Sequence, residues 1–197
     1  MAAQITGADK VLEWTDLPTG ILTAPGEDDE ADAAFTNAIF RFTQQPKISW
    51  VAGTKPDKYQ IEDNFNMVVE LITSGGGASW KASWVDSRPP AERQRLLTHE
   101  RGHYSLVALL GRDCFNDLKT LLTHQYDSVK EAQSAIDTVI KPYSSKTQPI
   151  QDVYDSDQQT RHGFNTQTQI VWNGHIATAG NKGTPILSVL KGAGISV

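Results

Sequence analysis

The chain has 197 residues, a formal net charge of −5 and an isoelectric point of about 5.5. A chain of this length can bury a sizeable core, so we expect a single domain, residues 1–197, of mixed α and β content. The acidic balance argues against a nucleic-acid partner, and no apolar run approaches the roughly 18 residues that cross a bilayer. The start, MAAQITGADK, lacks the basic and apolar regions of a signal peptide, which predicts a soluble, cytoplasmic protein for the sequence as written.

The first half of the chain is predicted to form a small antiparallel sheet. Residues 11–20, VLEWTDLPTG, suggest a short strand followed by a turn. The acidic stretch GEDDEAD at residues 26–32 is interpreted as a solvated loop. Further strands are expected within residues 33–46, 47–53, 58–73 and 78–85.

The second half is predicted to be mainly helical. The segment DSRPPAERQRLL offers Asp86 or Ser87 as a helix cap and two prolines for the first turn. An apolar helical period then continues through Gly111 to about Leu122. The single cysteine, Cys114, lies in apolar sequence, which predicts a buried thiol and excludes an internal disulfide. The remaining predicted elements are a helix over residues 128–140 capped by Asp127, a loop over residues 141–157, a helix over about residues 160–177 and a glycine-rich tail.

The sequence HERGH at residues 99–103 lies within the predicted long helix. On a helix, His99 and His103 stand four apart on one face, so both imidazoles can bind one metal ion while Glu100 lies beside it. This is the HExxH arrangement of zinc hydrolases. In those enzymes the glutamate takes a proton from water and delivers it to the leaving amine.

The sequence around HERGH favours a functional motif, although HExxH also arises by chance on exposed helices. Apolar residues, LL before and YSLVALL after the motif, predict a largely buried helix. Three ionisable groups in a buried helix need a partner. Gly102 lowers helix propensity but permits the close approach of a neighbouring strand or a substrate. We therefore predict a catalytic Zn²⁺ site at this motif.

A third zinc ligand must come from the sequence downstream. His162, in TRHG, is favoured because Asp155 and Asp157 lie near enough in sequence to accept a hydrogen bond from its second nitrogen. Asp155 or Asp157 would instead give an aspartate-type site. Glu131, on the predicted middle helix, would give a glutamate-type site.

The sequence also suggests residues for two further roles. A phenol or imidazole near the open position of such a site often stabilises the tetrahedral oxyanion, and Tyr154 is the first candidate, with Tyr104 and His175 as alternatives. Neither His175 nor His124 is expected to bind metal. The strand expected at residues 80–85 is a candidate to pair with an extended substrate.

Four separated segments coincide with the motifs of one known family. They are LEWTDL at residues 12–17, SWV at 83–85, LLTHERGHYSLVALLGRDC at 96–114 and TRHGFNTQTQIVW at 160–172. In order and spacing they resemble a bacterial domain family of unknown function described as zinc-dependent proteases, often secreted, with L-x-W-x-D-F, L-L-x-H-E-x-G-H and T-x-H-G motifs. Leu17 departs from that pattern, because an aromatic residue is usual at its position.

The resemblance implies a zincin-like α+β metallopeptidase with a small antiparallel sheet, an HExxH helix and a helical C-terminal half that closes over zinc. It implies His99 and His103 as ligands, Glu100 as the general base and His162 as the third ligand. The expected partner is a peptide or protein substrate. The alternatives are a non-catalytic zinc-binding interaction protein on the same scaffold, and a zinc amidase acting on a non-protein amide such as a peptidoglycan cross-link.

Overall fold

A computed structural model describes residues 2–20 and 33–197. The strands within these residues are β1 (Gln4–Thr6), β2 (Thr19–Gly20), β3 (Ala34–Phe35), β4 (Ala38–Gln44), β5 (Ile48–Val51), β6 (Lys58–Ile61), β7 (Asn66–Leu71) and β8 (Trp80–Ala82). The α-helices are α1 (Pro90–Thr120), α2 (Val129–Ser144), α3 (Thr147–Asp155), α4 (Thr166–Lys182) and α5 (Ile186–Gly192). The expected mixture of α and β structure is confirmed. The acidic stretch at residues 26–32 lies outside the described residues.

The helix α1 runs through the centre of the fold and confirms the predicted long helix. Pro90 occupies its first position, where the ring fixes a helical φ and the missing N–H would have no partner. The residues predicted as caps instead belong to a 3₁₀ turn, Ser83–Ser87. The helix continues through Gly111, and Cys114 is fully buried as expected.

The strands form three small sheets instead of the one antiparallel sheet that was predicted. In the first sheet β7 lies between β1, which is parallel to it, and β4, which is antiparallel. A hairpin of β5 and β6 forms a separate sheet. One long strand was predicted over residues 58–73, but the structure has two strands there, β6 and β7. Between them the chain turns at Asn64, which donates backbone and side-chain hydrogen bonds to Glu62.

The remaining sheet has the order β2, β8, β3, and this order overturns the expectation for residues 80–85. Because β8 pairs with β2 on one side and with β3 on the other, its backbone has no free edge for a substrate. The strand also ends at Ala82, where the 3₁₀ turn begins. The edge strands of this sheet are β2 and β3.

The helical half differs from the prediction in three places. Residues 147–155 form α3 although they were expected in a loop, because Pro149 falls in the first helical turn, where proline is tolerated. The helix predicted from about residue 160 begins at Thr166, and the tail contains α5. The helix α2 is capped by the hydroxyl of Ser128, which accepts a hydrogen bond from the Glu131 amide, and not by Asp127.

The two halves of the chain pack against opposite sides of α1. On the sheet side, the buried Tyr104 hydroxyl donates to the backbone oxygens of Gly7 and Val69 at 2.9 and 3.2 Å. On the helical side, Leu106 and Leu110 pack among buried apolar residues of α3, α4 and α5. Both faces of α1 are therefore covered around the HERGH sequence.

Within residues 2–20 and 33–197, no helix combines the length and apolar character needed to cross a membrane.

Candidate metal centre

Three side chains converge where α3 crosses α1. The Nε2 atoms of His99 and His103 lie 3.0 Å apart, and each lies 3.0 Å from Oδ1 of Asp155. Tetrahedral bonds of about 2.0–2.1 Å separate ligand atoms by roughly 3.3 Å, so this triangle matches three ligands of one ion. These side chains could hold a metal ion.

The chemistry of the three atoms also favours a bound cation. Both imidazoles use their Nδ1–H groups elsewhere, so their Nε2 lone pairs face the carboxylate. In this state Asp155 Oδ1 is buried and accepts no hydrogen bond. Three electron-rich atoms at this distance repel one another unless a proton or a metal ion lies among them.

The pKa values of His103 and Asp155 describe the same site when a proton, and not a metal ion, lies among the three atoms. Burial lowers the pKa of His103, but the hydrogen bond to Asp155 and the charges of Asp155 and Glu100 outweigh it and raise that pKa to about 9. Burial acts to raise the pKa of Asp155, yet hydrogen bonds and positive charge from His103 and His99 hold it well below its usual range. A metal ion binding here would displace the proton.

Two glutamines orient the imidazoles. His99 Nδ1–H donates to Gln169 Oε1 at 3.2 Å, and His103 Nδ1–H donates to Gln151 Oε1 at 2.6 Å. The Gln151 amide also donates to the backbone oxygen of His103 at 3.2 Å. Such partners fix the tautomer that leaves Nε2 free for a metal.

Tyr154 lies behind the imidazoles and not at the open side of the site. Its ring stacks on the ring of His99 at 4.8 Å, and its hydroxyl donates to the backbone oxygen of His99 at 3.2 Å. The same hydroxyl accepts from Gln169 Nε2 at 2.6 Å. Burial, together with the charges of Glu100 and Asp155, keeps the pKa of Tyr154 well above its usual value despite the Gln169 hydrogen bond. The fully buried phenol thus supports His99 and has no hydrogen left for an oxyanion.

The crossing of α1 and α3 depends on Gly102. A Cβ atom at this position would lie 1.9 Å from the Tyr154 hydroxyl oxygen. A close approach does occur at Gly102, but the approaching group is Tyr154 on the helix α3 and not the strand or substrate that was expected. It brings the Asp155 carboxylate to the histidines one residue later in the chain.

Glu100 faces a cavity of about 260 Å³ beside the metal-ligand triangle. The residue is 5% exposed, and its Oε2 is buried without a hydrogen-bond partner. The cavity is lined by residues 33–38 along β3 and the start of β4, by Leu96 and the HExxH side chains on α1, by Thr147, Gln148, Gln151 and Asp155 on α3, and by His162. A buried, unpaired carboxylate in a cavity next to a cation site is placed to accept a proton from a bound water.

His162, the favoured third ligand, does not join the triangle. Its Nδ1 lies 3.8 Å from Asp155 Oδ1, and its side chain is 48% exposed at the rim of the cavity. Among residues 2–20 and 33–197, the group whose ligand atoms all lie within 4.8 Å of one another contains His99, His103 and Asp155 but not His162. The aspartate alternative is the one that this geometry favours.

The other candidates lie away from the ligand triangle. Asp157 has an 85% exposed side chain and lies 4.0 Å from Arg161. Glu131 accepts a hydrogen bond from the Asp127 amide at the start of α2. Tyr104 bonds to the sheet side of α1, and the ring of His175 lies against Trp172.

The segment after α3 packs directly on the ligand residues. Gly163 has a φ of +81°, and a Cβ atom there would lie 2.9 Å from Cβ of His99. The buried Thr160 hydroxyl donates to the backbone oxygen of Tyr154. The buried Trp172 ring contacts Tyr154 at 5.1 Å. The TRHG sequence and its following glutamine and tryptophan therefore pack on His99 and on the adjoining Tyr154.

Arg101 links the HERGH sequence to the N-terminal segment. Its guanidinium donates to the backbone oxygen of Leu12 at 2.7 Å and to the Glu13 carboxylate at 2.5 Å. Leu12 itself is buried in the cluster that contains Tyr104. The LEWTDL sequence is therefore attached to the outer face of the same helical turn.

Partial signals for the missed residues, Gln169 and Gln151, are present in the sequence. Gln169 stands in the TRHG-containing segment, but its contact with His99 is a long-range one. Gln151 and Asp155 are four apart on α3, a spacing that would have paired them if residues 147–155 had been predicted as helix.

Comparisons with protein-family models, with curated proteins and with solved structures return no match to this chain. The family resemblance rests on the four motif segments.

Proposed function

We propose that this protein is a zinc-dependent metallopeptidase in which His99, His103 and Asp155 hold the ion and Glu100 is the general base. The observation that supports this most directly is the combination of three lone-pair donors 3.0 Å apart with a buried, unpaired carboxylate in the adjoining cavity. A structural metal site would need the triangle but not the unpaired Glu100.

The reaction is hydrolysis of a peptide bond. When bound, zinc supplies a Lewis acid that polarises the scissile carbonyl and lowers the pKa of water. Glu100 accepts one proton as the water oxygen bonds to the carbonyl carbon. The same proton is then delivered to the leaving nitrogen as the C–N bond breaks, which gives a carboxylic acid and an amine.

The cavity walls favour an uncharged, extended peptide. Apart from the proposed catalytic and ligand groups, the lining residues within 2–20 and 33–197 carry no carboxylate, ammonium or guanidinium group. The strand β3 borders the cavity and, among the described residues, pairs with β8 on one side, so a substrate strand can pair with its other side. We assign this edge the substrate-pairing role that β8 cannot have.

The family resemblance is consistent with this function but implied a different third ligand. Its motifs imply the same roles for His99 and His103 as ligands and for Glu100 as the general base. The third ligand differs, because we propose Asp155 in place of His162. His162 keeps a place at the rim of the same cavity.

The test combines metal content with hydrolysis by the wild type, Glu100→Gln and the control Glu92→Gln. Glu92 lies near the start of the same helix, where its carboxylate is 3.8 Å from Arg88. We expect about one zinc per chain in all three proteins by mass spectrometry. Hydrolysis of fluorescein-labelled casein should fall by at least about 100-fold in Glu100→Gln alone. Undiminished hydrolysis by Glu100→Gln, or a wild type without zinc, would contradict the proposal.

A further inference from the structure

We propose that His162 is a catalytic residue whose imidazole N–H donates a hydrogen bond to the oxyanion formed from the scissile carbonyl. This inference rests on the proposed hydrolysis and adds a residue to it. Four observations support it: the distance of His162 from the ligands, its exposure in the cavity, its backbone conformation and the hydrogen bonds of the neighbouring donors.

The distances separate His162 from the ligand set. Two atoms bound to one zinc ion at about 2.0–2.1 Å can lie at most about 4.2 Å apart. His162 Nδ1 lies 3.8 Å from Asp155 Oδ1, but the residue is outside the group whose ligand atoms all lie within 4.8 Å of one another. In this arrangement His162 cannot share an ion with both His99 and His103.

The position of His162 is that of a group facing a substrate. Its half-exposed side chain lines the same cavity as Glu100. Its ring centroid is 6.4 Å from that of His99, and its Nδ1 is 3.8 Å from Asp155 Oδ1. A carbonyl oxygen that enters the cavity next to the ligand triangle therefore comes within reach of the His162 imidazole.

The backbone around His162 is held in an unusual conformation. Arg161, His162 and Gly163 have φ values of 48°, 50° and 81°, all in the left-handed region. For residues other than glycine this region costs about 1–3 kcal/mol, and such strain concentrates at functional sites. Gly163 packs on His99, and the Asn165 amide donates to the backbone oxygen of Thr160 at 2.9 Å, so the segment is anchored on both sides of the imidazole.

Each side-chain amide of the cavity wall donates one hydrogen bond within the protein. The side-chain amides of Asn37, Gln148 and Gln151 donate to the Gly77 backbone, to Asp152 and to the His103 backbone. Tyr154 is fully buried and donates to the His99 backbone. Of the three imidazoles that line the described part of the cavity, those of His99 and His103 already donate their Nδ1–H groups to glutamines. The N–H of His162 can therefore meet an oxyanion in the open part of the cavity.

The experiment compares wild type, His162→Ala, His162→Asn and the control Arg161→Ala. Asparagine keeps an N–H donor and tolerates the left-handed conformation, and Arg161→Ala places alanine in the same kind of backbone next to the site. Each protein is loaded with Co²⁺. Binding of inorganic phosphate, a tetrahedral oxyanion, is then followed by the visible absorption of the ion.

We expect the Co²⁺ affinity of all four proteins to agree within about threefold. Phosphate affinity should fall at least about tenfold in His162→Ala and be partly restored in His162→Asn. For casein hydrolysis by the zinc forms, kcat should fall by about 10²–10³-fold in His162→Ala, with KM little changed, as for the loss of one oxyanion donor.

Each other outcome has a defined meaning. Loss of Co²⁺ affinity in His162→Ala would make His162 a ligand and overturn the inference. Unchanged phosphate affinity, or phosphate that fails to bind the wild type, would also overturn it. A wild type that binds Co²⁺ and phosphate but hydrolyses no casein would refute the proposed function, while the phosphate comparison would still decide the role of His162 as an oxyanion donor.

Discussion

At the scale of single residues, the candidate site depends on neutral amides behind its imidazoles. Gln169 accepts from His99, and Gln151 accepts from His103. Gln169 also donates to Tyr154, so one side chain fixes both the tautomer of His99 and the phenol stacked on it. The negative charges at the site are therefore those of Asp155, which forms one corner of the triangle, and of Glu100, which lies beside it.

Replacing Gln169 with leucine should weaken metal binding without changing the ligands. His99 Nδ1–H would lose its acceptor, and we expect zinc affinity to fall by about 10–100-fold. The unpaired groups left on His99 and Tyr154 should also lower the free energy of unfolding by about 1–3 kcal/mol. Chelator competition and urea denaturation measure the two effects. Gln167→Leu, at an exposed position of the same helix, is the control and should change neither quantity appreciably.

The metal-free protein should lose stability as the pH rises above neutrality. The pKa of His103 is raised from 6.5 to about 9 in the folded state, so its contribution is complete below pH 6.5 and disappears as the pH rises through 9. On the acid side, the lowered pKa of Asp155 stabilises the fold above pH 3.8, and this contribution is lost as the pH falls.

Thermal denaturation of the EDTA-treated protein between pH 6 and pH 10 measures the alkaline part of this dependence. We expect Tm to decrease across the interval and His103→Gln to remove most of the decrease. With zinc bound, the slope should be much smaller, because the proton on His103 has already been displaced. An identical slope in the wild type and His103→Gln would show that other groups govern the alkaline transition.

At the scale of elements, the site is a crossing of two helices. The helix α1 presents His99 and His103, and α3 places Gln151 and Asp155 on one face and Ile150 and Tyr154 in the core.

The sequence predicted α1 because its apolar period continues over many turns. It did not predict α3, because Pro149 and polar residues made nine helical positions resemble a loop. Without that helix, Asp155 could not be grouped with the histidines in preference to His162. Contacts between distant segments, such as Tyr154 with Gly102, have no periodicity that a single sequence can reveal.

Adding a methyl group at Gly102 tests the geometry of the crossing between α1 and α3. Gly102→Ala raises helix propensity, but its Cβ would lie 1.9 Å from the Tyr154 oxygen. We expect a net destabilisation of about 1–3 kcal/mol from overpacking, with weaker zinc binding. Gly174→Ala on α4 is the matched control, since a Cβ there meets no atom within 4 Å. That substitution should instead stabilise by about 0.5–1 kcal/mol in the same urea titration. Equal effects of the two substitutions would contradict the close approach of Tyr154.

At the scale of the whole molecule, α1 connects the sheets to the helical half. Arg101 attaches it to the N-terminal segment through Leu12 and Glu13. Three turns later, Arg112 donates to the backbone oxygens of Ala179 in α4 and of Thr184 just after it. The site thus takes His99 and His103 from the centre of the fold, Asp155 and Gln169 from its helical half and a cavity wall from β3.

Because its ligands come from elements far apart in sequence, metal binding should stabilise the folded chain as a whole. An ion at 100 times its Kd adds about 2.7 kcal/mol, which corresponds to a rise in Tm of roughly 5–10 °C for a domain of this size. Asp155→Ala should abolish the rise caused by zinc. Asp152→Ala, at an exposed position one turn earlier on α3, should retain it.

Hydrogen exchange then locates the stabilisation. Zinc should slow amide exchange in α3 and in the central turns of α1, because Asp155 joins them through the ion, while the β5–β6 hairpin should change little. The same protection in His162→Ala as in the wild type would agree with a rim position for that histidine. Protection confined to α1, with none in α3, would mean that Asp155 does not bind the ion, since a site made only by His99 and His103 has no reason to hold α3 in place.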